Sequence, residues 1–240
     1  MRALYDSKSK LDDRGIKHLL SEENRLRTWL KVEQALALSQ AEEGFIPMEA
    51  ACDIAARRLE DLDLEEMARI KEKVGHGFVP FVKVLVKACS PEGGKYVHYG
   101  ITTQNIQQTS QLYIAKEVTA IYQSFLADIL RSLADLAEDN ADTVMAGRTH
   151  GKHAIPITYG YKVSVWISEL MQSVDRLAQC SDRVFTVMMG GAVGGFNATG
   201  ETGRRVQKRV ADRLGMTAME VPSRNMSQMK IEYKIGRAHV

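Results

Sequence analysis

The feature that most constrains this chain is a long segment, residues 105–140, that contains neither glycine nor proline. Apolar side chains recur in it at steps of three and four residues, from Val118 through Phe125 to Leu136. This spacing predicts one continuous amphipathic helix. At about 1.5 Å per residue it would span roughly 54 Å, more than a compact domain needs. The segment therefore predicts a bundle of long helices that is shared between subunits.

Helical periodicity also dominates the rest of the sequence. Ser21 is a candidate N-cap for a helix that ends at Gly44, and a second long apolar stripe follows Pro156. A further helix is predicted from about Thr202 to Leu214, whereas strand patterns are almost absent. We therefore predict an all-α fold, with an N-terminal helical domain over residues 1–104 and part of a long-helix bundle over 105–234. The segments around 146–156 and 190–195 are predicted to be loops.

Composition narrows the classes of partner. The 240 residues include 32 Lys and Arg against 30 Asp and Glu, a net charge of +2, which gives no electrostatic reason to expect nucleic acid or an anionic membrane. No stretch has the roughly 18 apolar residues of a membrane span, and the first residues lack the apolar core of a secretory signal. The three cysteines are widely spaced and predict reduced thiols, so we expect a cytoplasmic protein.

Two histidine-containing segments could carry chemistry. His150 lies between glycines with Arg148, Thr149 and Lys152 close by, a pattern that suits an acid or base beside an anion site. The alternative is a surface or capping histidine. His150 and His153 would make half of a metal site, but zinc needs three or four ligands, so no metal is predicted.

The other segment begins at His98 and leads into the long helix through Thr102 and Thr103. Hydroxyls and free N–H groups at a helix start can bind a carboxylate or phosphate, and the alternative is a plain N-cap. His76, between two glycines, is a weaker candidate. The glycine-rich loop 190–195 follows a helix rather than a strand, which favours a tight turn over a dinucleotide site, and no cofactor is predicted. Antiparallel long helices would place the loops of His98 and His150 at opposite ends, which suggests a site built between chains.

Three segments resemble signature regions of the fumarase/aspartase superfamily. Residues 147–160 resemble the second signature region, in the form found in adenylosuccinate lyases and 3-carboxymuconate cycloisomerases. Residues 98–105 resemble the first signature region, and residues 23–47 resemble the N-terminal helix of the family. The resemblance covers most of residues 20–215.

This resemblance implies a homotetramer in which three chains form each active site. The implied reaction is an anti-elimination that releases fumarate from an N-succinyl substrate, as in purine biosynthesis. His150 would be the general acid, and the implied substrate-binding residues are His76, His98, Thr102, Thr103 and Thr149. The implied alternatives are a 3-carboxy-cis,cis-muconate cycloisomerase or another amine–fumarate lyase. If the chain is not an enzyme, the alternative is a non-catalytic helical fragment.

Some positions depart from the family pattern. Gly77 and Asn105 stand where the family has Asp, and Thr103 stands where it usually has Ser. The third signature, a loop with a catalytic Ser, is expected beyond residue 240, so the chain is predicted to be an inactive fragment. Residues 235–240 match the translation of a common sequencing adapter, and we expect them to be an artificial tail.

Overall fold

The computed structural model describes residues 12–222, except for the side chain of residue 182. The expected tail at 235–240 therefore lies outside the described residues. In chain order the helices are α1 (Ile16–Leu19), α2 (Glu22–Glu42), α3 (Met48–Ala55), α4 (Leu64–Val74), α5 (Val79–Ala88), α6 (Pro91–Gly94), α7 (Thr103–Asp139), α8 (Tyr159–Val184) and α9 (Thr202–Leu214). The strands are β1 (Val144–Thr149), β2 (Lys152–Thr158), β3 (Thr186–Val187) and β4 (Thr217–Ala218), and a short 3₁₀ helix covers Leu59–Asp61.

The predicted helical fold is confirmed, because helices account for most of the described chain. The long helix α7 runs without interruption, as its lack of glycine and proline predicted. Ser21 Oγ accepts a hydrogen bond of 3.1 Å from Asn24 N and caps α2, and Gly44 follows the end of α2 with a φ of +69°. No helix within residues 12–222 combines the length and the apolar character that a membrane span requires.

The expectation of a loop between α7 and α8 is wrong, because strands β1 and β2 form an antiparallel hairpin there. Strand β1 pairs with β2 from Val144 opposite Thr158 to Thr149 opposite Lys152, and the register shifts between Ala146 and Arg148. A Cβ at position 147 would lie 2.6 Å from the carbonyl oxygen of Ile155, so the shift requires glycine. The irregular register hides the alternation that marks a strand in sequence.

The chain divides into two compact units, which are described here separately. Within the described residues, unit 1 comprises 12–117 and 182–222, and unit 2 comprises 118–181. The predicted boundary at residues 104 and 105 stays a prediction.

The core of unit 1 is centred on aromatic packing against α2. The Trp29 ring makes edge contacts with Phe78 and Phe81, at centroid distances of 4.9 and 5.5 Å. Phe78 and Phe81 are fully buried, and Val32 and Leu36 extend the same face of α2. This core holds α2, α5 and the turn that precedes α5 together.

Unit 2 contains the second part of α7, the β1–β2 hairpin and most of α8. Gly160 N donates to Asn140 O at 2.9 Å, and a Cβ on Gly160 would meet the Ala137 carbonyl oxygen at 2.4 Å, so this approach needs glycine. The unit exposes several large apolar side chains, among them Ile129, Leu136, Val144, Ile155, Trp166 and Met171. The apolar stripe of α7 is thus only partly covered within the described residues.

A cluster of ion pairs joins α9 to the end of α2. Arg205 Nε and Arg209 Nε each donate to the Glu43 carboxylate at 2.5 Å, and Arg213 pairs with Glu42. The hydrogen bonds from Arg205 and then Arg209 lower the pKa of Glu43. A lowered pKa in the folded state stabilises folding above the unfolded-state pKa, about 4.3, and this contribution is lost as the pH falls through the lowered value.

We expect the substitution Glu43→Gln to lower the urea midpoint at pH 7. The difference from the parent chain should shrink at pH 2, because the carboxyl of the parent loses its ion pairs as the pH falls through its lowered pKa. Urea titrations followed by circular dichroism at both pH values measure this. The control is Glu72→Gln, on an exposed residue of α4 without an ion pair among the described residues. An equal loss at both pH values would contradict the electrostatic origin.

We also expect the thiols to differ in reactivity. Burial, with a smaller contribution from the charge of Asp53, raises the pKa of Cys89 to about 11, whereas Cys52 is exposed. Because the thiolate is the reactive form, iodoacetamide at pH 8 should label Cys52 well before Cys89. Mass spectrometry of tryptic peptides over time measures both rates in the same sample. Faster labelling of Cys89 than of Cys52 would contradict the raised pKa of Cys89.

Candidate functional site

His98 is held by a carboxylate that is buried in unit 1. His98 Nδ1 lies 2.6 Å from Oε1 of Glu33, which sits on α2 with 1% of its surface exposed. A carboxylate can only accept, so Nδ1 carries the proton and Nε2 is the nitrogen left for a ligand. The imidazole also packs on Phe78, with ring centroids 5.4 Å apart. This pair fixes both the position and the tautomer of the His98 ring.

The backbone at His98 is itself unusual. Its φ of +59° lies in the left-handed region that residues other than glycine rarely adopt. The next carbonyl, of Tyr99, accepts a hydrogen bond of 2.8 Å from Nε2 of Gln40, another buried side chain of α2. Two polar side chains of α2 therefore hold the turn in this conformation.

The start of α7 lies four residues beyond this turn. Thr103 is its first residue, and Asn105 Oδ1 accepts hydrogen bonds from Thr102 N at 3.2 Å and from Gly191 N at 3.1 Å. Asn105 thereby caps the helix and anchors the glycine-rich loop. Within residues 12–222 no side chain or backbone group is bonded to the hydroxyls of Thr102 or Thr103, which are partly exposed. The helix start therefore presents two hydroxyls that can meet a ligand.

Asn105 differs in its second polar atom from the Asp that the resemblance implies at this position. Asn105 is fully buried, and its Nδ2 has no hydrogen-bond partner within the described residues. An Asp at this position would accept bonds with both oxygens and place a negative charge at a helix N-terminus. Compared with Asp, Asn105 has a buried donor, Nδ2, in place of an acceptor.

His76 is exposed and has a local structural role. Its Nδ1 accepts hydrogen bonds of 3.1 Å from the backbone N–H groups of Phe78 and Val79, at the start of α5. Because the accepting nitrogen Nδ1 is unprotonated, the ring proton lies on Nε2, which can donate a hydrogen bond to another group. Its predicted role in binding substrate stays a prediction.

Thr149 and His150 lie in unit 2, at the tip of the β1–β2 hairpin. His150 and Gly151 form its two-residue turn, with φ values of +49° and +75°. Positive φ at both central positions is the type I′ turn, which normally takes Asn, Asp or Gly at the place of His150. The imidazole is exposed, and Arg148 Nη2 lies 3.4 Å from His153 Nε2 on the same hairpin.

The structure thus groups the predicted residues in two sets. His76, His98, Thr102 and Thr103 belong to unit 1, whereas Thr149 and His150 belong to unit 2. Glu33 was not predicted from the sequence as the partner of His98. A charged residue between Leu30 and Leu36, within the apolar stripe of α2, could have indicated a buried polar contact at this position. Within residues 12–222 no three His, Cys, Asp or Glu side chains come together as a metal site.

Comparisons with known proteins agree with the sequence pattern. A family model described as "Lyase" matches residues 13–232. The chain is 40% identical over 195 residues to an adenylosuccinate lyase of Methanothermobacter thermautotrophicus, which covers 81% of the chain and 43% of that protein. It is 33% identical over 202 residues to an N-acetyl-S-(2-succino)cysteine lyase of Dickeya dadantii, which covers 84% of the chain and 45% of that protein.

A solved structure shows the same fold. The β-carboxy-cis,cis-muconate cycloisomerase of Acinetobacter calcoaceticus superimposes with a TM-score of 0.88 at 27% identity, over 94% of this chain and 54% of that one. The chain therefore spans about half the length of the relatives that it matches.

We expect Glu33→Ala to destabilise unit 1 by about 1–3 kcal/mol, because the His98 N–H loses its only described acceptor in a buried setting. Glu33→Gln should cost less, since an amide oxygen can still accept. Urea unfolding of both variants measures the difference. Equal losses in the two variants would show that the hydrogen bond to His98 contributes little.

Proposed function

Because the chain belongs to the fumarase/aspartase superfamily of lyases, we propose that it supplies substrate-binding and acid groups to an enzyme that eliminates fumarate from an N-succinyl substrate. In this proposal the enzyme resembles the adenylosuccinate lyases, acts in purine biosynthesis in the cytoplasm and needs no cofactor. The observation that carries the proposal is the His98 ring, oriented by buried Glu33 and followed by two hydroxyls at the start of α7.

The groups of unit 1 suit a substrate that carries carboxylates. The hydroxyls of Thr102 and Thr103 lie at a helix N-terminus, where the backbone dipole favours an anion. We assign them, together with the Nε2–H of His76, to a substrate carboxylate, and assign Nε2 of His98, which this tautomer leaves as an acceptor, to an O–H or N–H group of the substrate. An elimination through a carbanion develops charge on that carboxylate, and donors that are already fixed in place stabilise it without reorganising.

His150 is the proposed general acid, with Thr149 beside it as a further substrate contact. A protonated imidazole can donate a proton to a leaving nitrogen. The type I′ turn displays this ring at the hairpin tip, away from the body of the two strands. None of these residues takes the proton from carbon, and we assign that base to a part of the enzyme outside residues 12–222.

We further propose that the active enzyme is a homotetramer in which several copies complete each site. Exposed apolar side chains of unit 2, such as Ile155 and Trp166, would be covered in such an assembly. The domain limits 1–104 and 105–234 are part of this proposal.

The leaving group is the least constrained part of the proposal. A cycloisomerase acting on 3-carboxy-cis,cis-muconate is the second candidate, and the close structural match to such an enzyme favours it. The lyase acting on a succinylated thiol, at 33% identity, adds sulfur as a leaving atom. All three substrates therefore belong in the same assay.

The test replaces the matched region of the Methanothermobacter enzyme with residues 12–222 of this chain. We expect fumarate release from adenylosuccinate, and a decrease of about 10²- to 10⁴-fold in the variant His150→Asn, which removes the acid but suits the type I′ turn. The matched control His153→Asn should stay within about twofold of the parent. Turnover of the muconate or of the succinylated thiol instead would select the alternative substrate.

A second measurement does not require turnover. Succinate binding to the 240-residue chain, followed by calorimetry, should weaken about tenfold in Thr103→Val, because a carboxylate would lose a hydroxyl donor. A folded hybrid without activity on any substrate, together with unchanged succinate binding in Thr103→Val, would refute the proposal.

A further inference from the structure

A small cavity in unit 1 is lined by cations and amides that the proposed reaction does not use. It has a volume of about 170 Å³ and lies between α2, α4 and the first part of α7. Its polar lining comes from Arg25, Lys71, Gln107, Ser110 and Gln111, with Gly77 at the loop between α4 and α5. Trp29 and Ile114 supply apolar wall. Among the described residues that line it there is no carboxylate.

Arg25 leaves one donor without an acceptor. Its Nη2 donates to Glu22 Oε1 at 2.8 Å, and its guanidinium lies 5.2 Å from the centre of the Trp29 ring. The Nε–H is buried and has no hydrogen-bond partner within residues 12–222. Buried donors in proteins nearly always have a partner, so this atom indicates an acceptor that residues 12–222 do not supply.

Lys71 adds a second positive charge to the same cavity. It makes no ion pair with any described residue, although α4 carries Glu65, Glu66 and Glu72. Neighbouring Arg69 forms ion pairs with the carboxylates of Glu65 and Glu66. Lys71 also borders a neighbouring groove that contains Glu22, Glu23 and Glu60, but it forms no ion pair with them. Glu22 offsets part of the charge of Arg25.

We propose that this cavity binds a small oxyanion, the phosphate group or the carboxylate of a compact ligand. A guanidinium N–H, an ammonium and two primary amides form a set rich in donors, which suits oxygens that carry negative charge. The volume admits inorganic phosphate or a four-carbon dicarboxylate. This site is separate from the threonines at the start of α7, and the proposal does not rest on the lyase reaction.

The test is calorimetric titration of the 240-residue chain with inorganic phosphate and, separately, with succinate. We expect saturable binding of at least one of them below about 20 mM. Lys71→Gln and Arg25→Gln should each weaken that binding by about tenfold or more. Each has a control with the same loss of charge, Lys73→Gln on α4 and Arg27→Gln on α2, which should stay within about twofold because neither residue lines the cavity. Circular dichroism checks that every variant is folded.

The outcomes separate the sources of the anion. Binding of phosphate alone assigns the cavity to a phosphate group, and binding of succinate alone assigns it to a carboxylate. Lack of saturable binding of either anion overturns the proposal, as does equal weakening in Lys71→Gln and Lys73→Gln. Succinate binding that is lost in Thr103→Val and kept in Lys71→Gln takes place at the start of α7 and not in the cavity. If phosphate also fails to bind, this result overturns the proposal. Because Lys71→Gln alters only an exposed side chain, the test stands even if Arg25→Gln fails to fold.

Discussion

The site in unit 1 depends on two polar side chains, Glu33 and Gln40, that α2 buries against the turn at His98. Glu33 binds Nδ1 of His98, and Gln40 binds the carbonyl of Tyr99. A buried carboxylate is costly unless it is paired, so the turn at His98 must come to α2 for the core to form. This requirement holds the segment that leads into α7 and accounts for the left-handed backbone at His98. The geometry that orients the imidazole is thus part of the packing of the core.

The glycine-rich loop contributes through its backbone. Gly191 N donates to Asn105, and a Cβ at Gly190 would lie 2.7 Å from the carbonyl oxygen of Gly194. The loop can therefore fold tightly against the start of α7 only because these positions have no side chain. The role of these glycines is positional. The expectation that this loop directly follows a helix is wrong, because the short strand β3 lies between α8 and the loop.

The turn of the β1–β2 hairpin places His150 in a strained backbone conformation. His150 takes a conformation that costs energy for most residues, and Gly147 permits the irregular pairing that precedes the tip. The imidazole at this tip is exposed. The same turn makes Asn an apt replacement when the imidazole alone is to be removed.

The sequence by itself determined the long helices, the cap at Ser21 and the family, because periodicity and local side-chain chemistry act within a few residues. The helix predicted around residues 105–140 is α7, and the helix predicted at Thr202–Leu214 is α9. It also singled out His98, Thr102 and Thr103, although their roles remain proposals. Only the tertiary structure decided that Glu33 meets His98, that Asn105 reaches Gly191, and that Arg25 and Lys71 share a cavity. Each of these pairs is separated by tens of residues, and no local pattern records which distant side chain will fill a buried position.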